Sequence, residues 1–263
     1  MKKISTRHYY GTEQRILWIY NQAISDDFPS LFVGYWDVYE TWYDHGERVE
    51  GGLSSFLLDA TLPPAEQYWT RERFGNYLYG SLLSVYFSWE SLQAVKSARN
   101  IRDVKSNLAF IRQISGVVMN LFTALDALSC CIYIAENRIP AGCGQAQGEQ
   151  KHLRSLSIKS VKEKINEVGA YGPLDSLVDR SEFKYLSDYR NLLAHRLFLQ
   201  FQEDSQGLLH LPEDLGQLDS ITQRKDQYLA SDVGTYLEAA LGIIVVDFEA
   251  LLRELGARYR KRI

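Results

Sequence analysis

Residues 104–137 read VKSNLAFIRQISGVVMNLFTALDALSCCIYIAEN, and the spacing of their apolar side chains decides the fold class. Leu108, Ile111, Ile114, Val118, Leu121, Leu125, Leu128 and Ile132 recur at steps of three and four, the period of a helix face rather than of a strand. From Gly116 to Ala135 the only formal charge is Asp126, and that run is long enough to span a bilayer. Asn120, Thr123, Asp126 and Ser129 nevertheless place a polar group at every third position. A charge at mid-bilayer costs about 2.5–3.5 kcal/mol even on the mild insertion scale. A helix apolar on most sides is also what the centre of a helical bundle requires. The stretch is therefore read as a buried bundle helix, with no membrane association expected.

The same period continues on both sides. Residues 66–96 carry Phe74, Leu78, Leu82, Leu83, Tyr86, Phe87, Leu92 and Val95 at helical spacing. A short helix is expected at 157–168, with Ile158, Val161 and Ile165 as its apolar face and Gly169 as its stop. A longer one follows at 174–200. The last, at 231–257, opens on Ser231-Asp232 as an N-cap pair and carries Val233, Leu237, Leu241, Ile244, Val245, Phe248, Leu251, Leu252 and Leu255. Loops are marked by Pro140, Gly142 and Gly144, and by Gly207, Pro212 and Gly216. Only 6 of the 263 residues are proline, which leaves long helices uninterrupted. The expected fold is all-α, an up-and-down bundle of about four long helices plus a short one. No strands alternate with the helices, which argues against a dinucleotide-binding or barrel enzyme.

Three segments are expected. Residues 1–65 form an aromatic-rich extension, with Trp18, Tyr20, Phe28, Phe32, Tyr35, Trp36, Tyr39, Trp42 and Tyr43, closed by Pro63-Pro64. Residues 12–24 suit a helix, 31–43 a helix or a strand, and most of the extension is unassigned. Residues 66–257 form the bundle and 258–263 a basic tail.

The composition, 46% hydrophobic and 24% charged, is that of a globular chain and excludes wholesale disorder. A net charge of −4 excludes a protein that coats nucleic acid by general basicity, although not a local basic surface. Two stretches supply such basicity: Lys151, His152, Arg154, Lys159, Lys162 and Lys164, and the run Arg253, Arg258, Arg260, Lys261 and Arg262. Both are read as solvated charge or as phosphate contacts. The cysteines Cys130, Cys131 and Cys143 contain no CxxC pair, and the five histidines lack ligand spacing with them, so neither metal nor other cofactor is expected. Cys130 and Cys131 read as small core residues. No apolar run of signal-peptide length follows Met1, and the expected compartment is the cytoplasm. The chain has no glycine-rich phosphate loop, no HExxH and no serine nucleophile elbow.

Chemistry concentrates in the fourth helix. At about 100° per residue, Phe183, Leu186, Leu193, Ala194 and Leu197 fall on one stripe, and Arg190 falls in its middle. A guanidinium on a core-facing stripe is costly unless it is paired or opens into a cleft. Asn191 and His195 lie one turn apart on the flank, with Lys184 and Asp188 nearby. Histidine titrates near neutral pH, and arginine presents a planar fork that fits phosphate oxygens. Arg190 and His195 are about 7.5 Å apart along the axis and about 140° apart around it, so one helix does not easily aim both at one phosphate. A second copy related by a two-fold axis would supply the missing partner. The plainer reading is a buried polar network in which Arg190 pairs with a carboxylate such as Asp126.

The string Tyr189-Arg190-Asn191-Leu192-Leu193-Ala194-His195-Arg196 resembles the HEPN superfamily. Those are all-α domains whose signature is an arginine, four to six residues, then a histidine, often with asparagine after the arginine. The stretch Leu121–Leu128 also looks like the preceding bundle helix of some HEPN families, and the resemblance covers roughly 66–257. It implies a metal-independent RNA endonuclease of the toxin or antiviral-defence kind, acting as a homodimer with a composite site and subject to an antitoxin or other regulatory protein. His195 would then handle protons during attack of the RNA 2′-OH on the adjacent phosphate. Arg190 would hold that phosphate, and Asn191 would orient either group. Asp126 and Asp188 are candidates to support them from behind, and Lys184 and Arg196 to touch RNA. The alternative is a catalytically inactive HEPN-like module that binds RNA, nucleotide or a protein partner.

Overall fold

A computed structural model of the chain describes residues 64–98, 104–135, 156–165, 172–194, 201–213, 215 and 228–261. The expected helix at 12–24 lies outside the described residues, as do Cys143, Lys151, His152 and Arg154. Among the described residues the fold is all-α. Its helices are α1 (Pro64–Ser97), α2 (Val104–Ala135), α3 (Ile158–Ile165), α4 (Gly172–Asp179), α5 (Ser181–Ala194) and α6 (Val233–Lys261). An antiparallel hairpin, β1 (Gln202–Glu203) and β2 (Leu209–His210), lies between α5 and α6.

The chain divides into two compact units, and the divisions fall inside α1, α2, α4 and α6. One unit comprises the described residues within 1–86, 123–175 and 245–263, the other those within 87–122 and 176–244.

The first unit is built on apolar faces. Phe74, Leu78, Leu82 and Val85 of α1, Leu125, Leu128 and Ile132 of α2, and Phe248, Leu251, Leu252 and Leu255 of α6 are buried. The Cys131 thiol donates to the Phe74 carbonyl at 3.7 Å and so links α2 to α1. Helix α3 begins with a reciprocal cap: Ser157 Oγ accepts from the Ser160 amide at 3.3 Å, and Ser160 Oγ accepts from the Ser157 amide at 2.8 Å. Lys162 reaches Asp175 at 3.2 Å, tying α3 to α4.

The second unit has the same buried faces and several directional ties. Ser88 Oγ donates to the Val117 carbonyl at 2.7 Å, deep between α1 and α2. Close approach there depends on Gly116, because a Cβ at that position would lie 2.6 Å from Ser91 Oγ. Lys96 pairs with Glu238, α1 to α6. Tyr185 packs edge-on against Tyr236, with ring centroids 5.2 Å apart, and its hydroxyl donates to the Pro212 carbonyl at 2.6 Å. Asp232 caps α6: its Oδ1 accepts from the amides of Gly234 at 3.0 Å and Thr235 at 3.2 Å, and its Oδ2 from the Thr235 hydroxyl.

Helix α2 is long and apolar enough to cross a membrane by length and composition, and 72% of its most apolar window is buried within the fold. That burial matches the bundle-helix reading of its sequence. Four details differ from expectation. The stretch 174–200 is not one helix. The Arg180 amide bonds back three residues to the Leu177 carbonyl at 3.3 Å, which closes α4, and the Arg180 carbonyl starts α5 by accepting from the Lys184 amide at 3.1 Å. The loop around Gly207 contains the hairpin. Phe87 and Leu108, placed on apolar faces by periodicity, are exposed. Helix α6 runs on to Lys261, so most of the expected basic tail has a helical backbone.

Candidate functional site

Helix α5 starts where Arg180 breaks the ladder, which fixes its rotation in the second unit. It buries Phe183, Leu186, Ser187 and Tyr189. Ser181, Lys184, Asp188, Asn191 and Ala194 are exposed on the opposite side. The buried stripe is therefore centred nearer Tyr189 than the sequence suggested, and Ala194, expected on the stripe, faces solvent.

Arg190 lies at the margin between the two faces and is half-buried. Its guanidinium carbon lies 5.2 Å from the centroid of the Phe122 ring. Phe122 is itself 1% exposed and packs against Phe183 of α5, with centroids 5.4 Å apart. The planar cation is thus seated on an aromatic floor that α2 and α5 build together. Such a contact contributes roughly 0.5–2 kcal/mol. This answers the sequence puzzle of an arginine near a core stripe: an aromatic face supports it at the edge of the core.

Next to it, Asn191 is exposed, and Asp188 and Lys184 are exposed on the same side one and two turns earlier, respectively. The structure thus brings Arg190, Asn191, Lys184 and Asp188 onto one helix, three of them on its solvent face. His195 and Arg196 lie outside the described residues. Asp126 belongs to the first unit, half-buried on α2 one turn before Cys130. Burial, then the nearby Asp126 carboxylate, pushes the Cys130 thiol up to about 12. Cys131 is likewise raised, by burial first. Both thiols are inert at neutral pH. Burial also raises Tyr189 and Tyr185 well above the usual phenol range, so neither is available as a base beside the site.

Sequence reasoning missed Phe122 and Tyr189. Phe122 was legible only as one more apolar residue, since the ring that meets Arg190 is 68 positions earlier in the chain and periodicity carries no information about that pairing. Among the described residues no group of three or more His, Cys, Asp or Glu side chains is placed to hold a metal ion. No protein-family model, no curated protein and no solved structure matches the chain.

Proposed function

We propose that the chain is a HEPN-type, metal-independent RNA endonuclease with Arg190, Asn191 and His195 as its catalytic residues. One observation carries the reading: the Arg190-Asn191 pair sits near the end of a late helix of an all-α fold, with the Arg190 guanidinium held on Phe122 and Asn191 in solvent, four residues before His195. The motif supplies the rest of the argument.

In this mechanism the RNA 2′-OH attacks the adjacent phosphorus and the 5′-oxygen leaves. His195 accepts the 2′-OH proton or donates one to the departing oxygen. Arg190 neutralises the charge that gathers on the phosphoryl oxygens, and its in-plane N–H groups suit that geometry. Asn191 hydrogen-bonds the phosphate or the imidazole. The products are a 2′,3′-cyclic phosphate and a free 5′-hydroxyl. A homodimer places the Arg190 of one protomer with the His195 of its partner, which removes the angular mismatch between positions 190 and 195 on one helix. The partners of this reading are RNA and an antitoxin or other regulatory protein, the setting cytoplasmic defence or growth control.

The test is RNA cleavage by purified wild-type and His195→Ala protein in the presence of EDTA, with product ends identified. Cleavage that survives EDTA, yields cyclic phosphate ends and vanishes in the variant is the expected result. Cleavage undiminished in His195→Ala overturns the assignment. Intact RNA with both proteins, alongside RNA binding that depends on Arg190, would replace it with the non-catalytic module.

A further inference from the structure

The hairpin and the segment before α6 meet at one histidine. The His210 side chain is 14% exposed, and each of its ring nitrogens faces oxygen. Nε2 lies 3.2 Å from Asp204 Oδ2. Nδ1 lies 2.9 Å from the Leu229 carbonyl and 3.1 Å from the Ser231 carbonyl. Carbonyls accept and never donate, and a carboxylate at neutral pH does the same. A neutral imidazole has one N–H, so one nitrogen would set its lone pair against an oxygen lone pair. Only the doubly protonated ring satisfies all three acceptors.

The carboxylate is held for this role. Asp204 Oδ1 accepts from the amides of Gln206 and Leu208, each at 2.8 Å, which leaves Oδ2 for the imidazole. The turn closes through the Gly207 amide, which donates to the Asp204 carbonyl at 3.1 Å, with Gly207 at φ 82° in the left-handed region. On the other side, the Leu229 amide donates to the Leu211 carbonyl at 2.8 Å, and Tyr228 bridges Pro212. The ring thus joins the hairpin turn to the backbone that leads into α6.

We propose that His210 is a pH-dependent clasp, which as imidazolium fastens the β1–β2 hairpin to residues 229–231 and releases one side when it loses a proton. Among the described residues the charged groups around it are Asp204 from the turn and Asp232 from the cap of α6. Lys96 and Glu238, from α1 and α6, line the pocket beside Gly207, Leu208 and Leu209 and are paired with each other. Both facing charges are therefore negative and favour the charged ring. Burial alone would lower the affinity of His210 for its proton; the hydrogen bonds to Asp204, Leu229 and Ser231 outweigh it and raise that affinity above the ordinary value. A group bound more tightly by protons in the folded state stabilises below its unfolded pKa and ceases to do so as pH rises through its folded pKa. The clasp is closed in mildly acid solution and opens as pH rises through a midpoint above the ordinary value for histidine. It is independent of the nuclease reading, although the hairpin directly follows the 195–200 segment in the chain.

The experiment follows the ring nitrogens of histidine-labelled full-length protein by NMR across pH ~5–9, with the His210 signal assigned by its loss in His210→Gln. In parallel, hydrogen exchange of the Gly207, Leu208 and Leu229 amides is measured and corrected for intrinsic rate. The expected result is a midpoint above the ordinary ~6.5, with protection of those amides falling several-fold across it. Asp204→Asn keeps an oxygen for the Gln206 and Leu208 amides but presents a neutral amide to the ring, and should lower the midpoint. A midpoint at or below the ordinary value, a midpoint unmoved by Asp204→Asn, or protection that does not change with pH in the wild type overturns the proposal. Neither of the wild-type readings depends on the folding of a variant once the signal is assigned.

Discussion

Helix α2 and the stretch from α5 through the hairpin to the cap of α6 are held by different forces. Between Leu121 and Ala135 the only exposed residue of α2 is Thr123, and what fixes that helix is area removed from water. The described residues within 181–235 bury one stripe of α5 together with Leu211, Leu215 and Val233, and add to that burial a set of named bonds to backbone: Tyr185 to Pro212, Asp204 to its own turn, His210 to Leu229 and Ser231, and Asp232 to Gly234 and Thr235. Burial is undirected and insensitive to small chemical change at the rim. Directional bonds to carbonyls and amides are weaker in sum but can be switched one at a time. Arg190 and Asn191 lie in the second kind of region, resting on α2 through Phe122.

Four substitutions break or sharpen this contrast. Phe122→Ala removes a fully buried ring and the support of Arg190, and should cost about 3–5 kcal/mol in urea unfolding; a loss below about 1 kcal/mol would mean that α2 is not the rigid floor described. Asp232→Ala removes the α6 cap and should cost about 0.5–2 kcal/mol. Its pH dependence has a fixed sign. Burial opposes the charge on Asp232, but the Thr235 hydroxyl and the Gly234 and Thr235 amides prevail and hold its carboxyl below the ordinary value. The cap is thus complete at neutral pH and is lost as pH falls through that lowered value, so wild type and variant should converge in stability under acid. Gly207→Ala forces a Cβ into the left-handed region and should cost roughly 1 kcal/mol, read from the same denaturation curves, with α2 amide exchange unchanged. Asn191→Ala, at an exposed position, should change stability by less than about 0.5 kcal/mol. Under the nuclease reading it lowers RNA cleavage sharply, and retained cleavage would remove Asn191 from the site.

Much of the helical order was legible because burial is periodic: Ile114, Val118, Leu121, Leu125 and Leu128 repeat at helical spacing, and all are wholly buried. The break at Arg180 was not, since neither proline nor glycine marks it and it depends on a single amide bonding three residues back. The hairpin was hidden for a related reason. Its strands are two residues each, too short to show alternation, and the Asp204 and His210 side chains that fasten it bond to backbone groups that no periodicity reveals. Arg190 and Asn191 are visible as a motif, but their setting is not, because the Phe122 floor is a contact between distant helices. In the sequence His210 is one of five scattered histidines. Its three oxygen neighbours come from positions 204, 229 and 231, which only the folded chain assembles.

The adjacent thiols of Cys130 and Cys131 give the molecule an internal clock. Both are buried in α2 and both resist ionisation, so a thiol-specific reagent reacts with them only when that helix is exposed. With Cys143 replaced by serine, the labelling rate becomes a count of opening events in the part of the fold that burial secures. Loss of the hairpin clasp should leave that rate unchanged, whereas loss of the Phe122 ring should quicken it.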